Sequence, residues 1–114
     1  MATLTQDQRK RLGAMSQLNR KVYFVGKGTN VRTIVGTVED EVSIIGDHCK
    51  LMIQRIRHTP QQASAAGSTV AYRSCYYSYT ADMKRIVFGQ YAQCVSKPEF
   101  QDLLKQARAK GWPL

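Results

Sequence analysis

The sequence has two histidines, one tryptophan, three prolines and eight acidic side chains in 114 residues, and its scarcities narrow the function. Neither His48 nor His58 has a partner at zinc-ligand spacing. His48 adjoins Cys49, but neighbours on a strand face opposite ways, which makes a poor nucleophile–base pair. The three cysteines, Cys49, Cys75 and Cys94, form no CxxC pair, so zinc and thioredoxin-type chemistry lack their signature and reduced thiols are expected. No Ser-His-Asp set, nucleophile elbow or inward carboxylate pair stands out, so catalysis, a bound metal and a cofactor are not expected. Apolar runs such as Val22–Val25 are a few residues long, whereas a membrane helix needs about 20. The N-terminal MATLTQDQRKRLG has no apolar stretch of the kind that directs secretion. A cytoplasmic protein without membrane attachment follows as the expectation.

Positive charge is what the chain has in excess. Seventeen Lys and Arg give a net charge of +9, and the isoelectric point is near 9.8, which meets the first criterion for a nucleic-acid binder. The charge is uneven: residues 1–35 hold seven basic side chains and one acid, while residues 36–47 hold four acids and no base. The acidic triplet Glu39-Asp40-Glu41 has alternating side-chain directions on a strand. It reads as solvated, or as a partner for basic groups of this chain or a second copy, rather than as a divalent-cation site. GKGTN (26–30) sets a lysine between glycines, but the order does not match a P-loop and predicts an ordinary turn.

The pattern of elements predicts one α+β domain. Thr5 and Gln8 form a capping box, and Leu12, Met15 and Leu18 mark an apolar stripe, predicting a helix over about 6–19. KVYFVG (21–26) reads as a short buried strand. VRTIVGTVEDEVSII (31–45) reads as one or two strands, with a bend at Gly36 or a turn at Glu39–Glu41. CKLMIQRIRH (49–58) continues as strand, with helix the alternative. TPQQASAAGS (59–68) reads as a mobile exposed loop without an apolar anchor. Strands are expected over about 69–79 and 84–95. Ser96 and Glu99 form a second capping box. Phe100, Leu103, Leu104 and Ala107 then follow helical spacing, Gly111 supplies a left-handed stop, and Trp112 folds back on Ala107. The fold class is thus an N-terminal helix, a four- or five-stranded twisted antiparallel sheet, open or curled into an SH3-like partial barrel, and a C-terminal helix.

Five of the six tyrosines lie within YRSCYYSYTADMKRIVFGQY (72–91). A hairpin turning at Ala81–Asp82 pairs residues whose numbers sum to 163, placing Tyr77 opposite Ile86 and Tyr76 opposite Val87. One face then carries Cys75, Tyr77, Ile86 and Phe88 and suits a core. The other carries Tyr72, Ser74, Tyr76, Ser78, Arg85, Val87, Gly89 and Tyr91, and suits either a helix lid or a flat partner.

These features support a nucleic-acid-binding module of low sequence selectivity, on DNA or RNA. Its electrostatic footprint is Arg9, Lys10, Arg11, Arg20, Lys21, Lys27 and Arg32, with Tyr72, Tyr76, Arg85 and Tyr91 for stacking or edge contacts. The alternative is a protein-interaction module or homodimer pairing acidic with basic regions.

Overall fold

A computed structural model describes residues 3–25, 28, 30–89 and 97–114. It is α+β, with element order α1 (Gln6–Ala14), β1 (Lys21–Val25), β2 (Arg32–Ile45), β3 (Cys49–His58), α2 (Pro60–Ala66), β4 (Val70–Tyr79), β5 (Ile86–Gly89) and α3 (Lys97–Ala109). The five strands form one antiparallel sheet in chain order, so β1 and β5 are its edges. The chain divides into two compact units. One comprises residues 1–16, 42–53 and 74–114, and the other residues 17–41 and 54–73. We call them the helical unit and the ribbon unit; β2, β3 and β4 each contribute to both.

The helical unit holds most of the buried apolar side chains. Leu4, Leu12, Met52, Cys75 and Tyr77 form its core, with Met15, Ile45, Tyr79, Met83, Ile86 and Phe88 packed against them. Tyr77 and Phe88 are directly opposed across β4 and β5, with ring centroids 5.4 Å apart in an edge-to-face pair. The capping box at Thr5 and Gln8 is present. The helix it starts ends at Ala14, five residues short of the expected 19, and Leu18 is exposed. The stop is tertiary. Lys50, buried on β3, donates its ammonium to the carbonyls of Gly13 (3.2 Å) and Met15 (2.5 Å), occupying acceptors that a continuing helix would have used itself. In return Arg9 reaches from α1 to the carbonyls of Gly46 (2.7 Å) and Ile45 (3.1 Å) at the β2–β3 turn.

The C-terminal helix closes as its sequence predicts. Gly111 is left-handed at φ 80°, its N–H meets the Arg108 carbonyl, and the Trp112 N–H meets that of Ala107. Leu103, Ala107 and Trp112 are buried, but Phe100 is 49 % exposed and does not belong to the buried face. Ser96 and Cys94 lie outside the described residues.

The β4–β5 hairpin departs from the expected register. Its pairs sum to 165, with Tyr77 opposite Phe88 and Tyr76 opposite Gly89. The turn centres on Asp82 and Met83, because Asp82 accepts from the Thr80 hydroxyl and the Lys84 N–H, and Met83 takes a left-handed φ of 61°. A slip of two residues leaves each side chain on its original face, so Cys75 and Tyr77 are buried as expected. The space at Gly89 is filled by the Tyr76 ring, which a Cβ there would strike.

The ribbon unit has four buried residues, Gly36, Val38, Gln54 and Ile56, among those described. β2 is one continuous strand, without a turn at Glu39–Glu41. Gly36 is needed for closeness rather than for a bend: a Cβ there would stand 2.6 Å from the Arg57 carbonyl oxygen. β3 is strand, so the helical alternative falls. The segment expected as a mobile loop is α2. Thr59 caps it through the Gln62 N–H (3.3 Å), Pro60 opens it, and Gly67 ends it at φ 72°. Backbone bonds from Thr59 to Val35 and from His58 to Thr69 fix its approaches.

Candidate nucleic-acid interface

Tyr23 and Phe24 sit on β1, where a β-bulge between Val22 and Tyr23 shifts the pairing with β2. The strand is not buried as expected. An edge strand has one neighbour, and here Phe24 is 61 % and Val31 65 % exposed, with Tyr23 and Ile34 also open to solvent. Cross-strand pairing places Tyr23 opposite Ile34 and Phe24 opposite Thr33, so the two rings occupy opposite faces of the ribbon. On the Tyr23 face, the Arg32 guanidinium lies 4.2 Å from the ring centroid, a cation–π contact. A cleft of about 430 Å³ is lined by Tyr23, Phe24, Thr33, Val35 and, from α2, Gln62.

Cations stand at both ends of this ribbon. Arg20 and Lys21 are exposed where the chain enters β1, after a turn in which Asn19 takes φ 66° and bonds the Val38 carbonyl. Arg32 is opposite Val25 at the other end. Arg20, Lys21 and Arg32 form no ion pair among the described residues.

The other described cations of the ribbon unit are committed elsewhere. Glu39 faces Arg55 Nε at 2.7 Å and Arg57 Nε at 2.8 Å. The Arg55 contact is an ion pair whose angle falls outside that of a hydrogen bond. Gln54, fully buried, donates to Glu41 (3.0 Å) and accepts from Arg73 Nε (2.8 Å), linking β2, β3 and β4. The acidic triplet thus supplies partners for this chain's own polar groups.

The residues expected at a footprint fall in both units. Arg20, Lys21, Arg32 and the half-buried Tyr72 belong to the ribbon unit. Arg9, Lys10, Arg11, Tyr76 and Arg85 belong to the helical unit, where Arg9 serves backbone carbonyls and Arg11 pairs with Asp7 at 3.1 Å. Lys10 and Arg85 are exposed, and Tyr76 covers Gly89. Lys27 and Tyr91 lie outside the described residues. The sequence reading missed Tyr23 and Phe24. The available signal was two adjacent aromatics in the first strand, inside a run of residues 8–38 that has no acid.

Burial, followed by the negative charge of Glu99, pushes the Cys49 thiol up, which disfavours the reactive thiolate. Cys75 is buried and forms no disulfide among the described residues. No group of three or more His, Cys, Asp or Glu side chains that could hold a metal occurs among the described residues. No helix there is long and apolar enough to cross a membrane. Neither a protein-family model, a curated protein nor a solved structure matches the chain.

Proposed function

We propose that the chain binds nucleic acid through the β1–β2 ribbon, contacting phosphates first and reading little sequence. The observation that carries this is a set of exposed cations without acidic partners, Arg20, Lys21 and Arg32, around two solvent-exposed aromatic rings. Phosphate contacts supply affinity by releasing counterions, and aromatic faces accept any base. The cations of the helical unit contribute less to this reading, since Arg9 and Lys50 are bound to backbone carbonyls.

Labelled single strands and duplexes titrated at about 50 and 200 mM salt test the proposal. Three neutralised phosphates on a single strand give a slope near −2 in log–log form, hence an affinity loss of about 20-fold over that range. Absence of binding at the lower salt refutes it.

Exposed Phe24, Val31 and Ile34 at a sheet edge favour a second reading, pairing with another copy of the chain. Like charges on the two ribbons would oppose that pairing. A stable dimer by light scattering, split by Phe24→Arg, would favour it over nucleic-acid binding.

A further inference from the structure

We infer that the ribbon selects unpaired over paired nucleic acid, with one base inserted between Phe24 and the Gln62 side chain; this rests on the nucleic-acid reading above. The cleft's size falls in the range of about 300–1,000 Å³ typical of small-molecule sites. The cleft is lined by Tyr23, the uncovered Phe24, Val35, Thr33 with its hydroxyl and Gln62 with its amide. Neither of these side-chain groups has a hydrogen-bond partner among the described residues. An amide with one acceptor and two donors can meet the hydrogen-bonding edge of any base. A base in a duplex is covered above and below by its neighbours, so only a splayed base can present its flat face to Phe24.

The occupant is anionic on charge grounds. Lys21 and Arg32 lie on rungs about four residues apart along β1, a span of about 13 Å. By strand alternation both cations lie on the Tyr23 face of the ribbon, behind the Phe24 face that carries the cleft, so they meet the phosphates of a strand wrapping this edge, and no acid occurs from residue 8 to residue 38. Tyr23, backed by the Arg32 guanidinium, offers a second stacking surface on the opposite face of the same ribbon.

The experiment uses the full chain with a labelled oligothymidylate of about 12 nucleotides, within the footprint range of small single-strand modules, and a duplex of equal length. The single strand is expected to bind more tightly than the duplex. Phe24→Ala is expected to lower single-strand affinity about five- to 100-fold, leave duplex affinity within about twofold, and keep the salt slope. Phe24→Trp retains single-strand binding and reports it by indole quenching. Because Phe24 is 61 % exposed, neither change removes core packing, and unchanged melting verifies this. Equal losses on single strand and duplex, or none on either, overturn the base site while leaving the nucleic-acid reading intact. Failure of the unaltered chain to bind either probe at low salt overturns the underlying reading instead. Polyglutamate binding as tightly as oligothymidylate assigns the ribbon to acidic peptides and overturns the inference.

Discussion

The helical and ribbon units use the same cationic side chains in opposite ways. In the helical unit, Lys50 and Arg9 point at backbone carbonyls, one capping α1 and the other holding the β2–β3 turn. In the ribbon unit, Arg55, Arg57 and Arg73 are tied into a carboxylate–amide network, while Arg20, Lys21 and Arg32 remain in water. Net charge is therefore a poor measure of a binding surface. What counts is how many cations are left after the fold has used its share.

The contrast is broken most severely in the helical unit. Lys50→Ala removes a buried side chain and leaves the part-buried carbonyls at the end of α1 without its ammonium, and a loss of about 1–3 kcal/mol is expected; thermal melting measures it. Arg9→Ala strands the Ile45 and Gly46 carbonyls and should cost about 1–2 kcal/mol. The neighbouring Arg11→Ala breaks a pair whose side chains are 68 % and 70 % exposed and should cost about 0.5 kcal/mol or less. If Arg9 and Arg11 prove equal in chemical denaturation, the structural assignment of Arg9 fails.

Lys21→Ala sharpens the comparison from the other side. Stability is expected to stay within about 0.5 kcal/mol, while the salt slope of nucleic-acid binding falls by about one. A stability loss with an unchanged slope would place Lys21 among the structural cations.

The smallest effect is acid loosening of the β4–β5 turn. Hydrogen bonding from the Thr80 hydroxyl, then from the Lys84 N–H, holds the Asp82 carboxyl below its usual range. Its folded-state pKa is thus lower than in the unfolded chain, so the turn is favoured above the ordinary aspartate range and loses that support as pH falls through the depressed value. The protection factor of the Lys84 amide, its exchange rate divided into the intrinsic rate at the same pH, should fall in that acid window and stay flat from pH 5 to 7. Asp82→Asn should abolish the pH dependence.

Much of the helical unit could be read before folding. Gly111 and Trp112 encode their own helix stop, and alternation alone separates Tyr77 from Tyr76 even though the register slipped, because the slip was even. What escaped depends on distant partners or on topology. α1 has Gly13 in its last turn but no left-handed glycine stop, and its end is met by a lysine more than thirty residues away. α2 buries none of its side chains, so it carries no apolar stripe to betray it. Met83 adopts a left-handed turn conformation that favours glycine, and nothing in its identity announces that. Edge position was the largest gap for the candidate site. Tyr23 and Phe24 look like core in one dimension and become surface because no strand pairs beyond β1 among the described residues.

The unpaired edge of β1 has a consequence for handling the protein. Main-chain donors and acceptors beside exposed apolar side chains invite a further strand, and Lys21 discourages it through mutual repulsion. At 1 M ionic strength that repulsion reaches only about 3 Å. High-salt buffers used to strip polyanions would therefore also remove the guard against clumping.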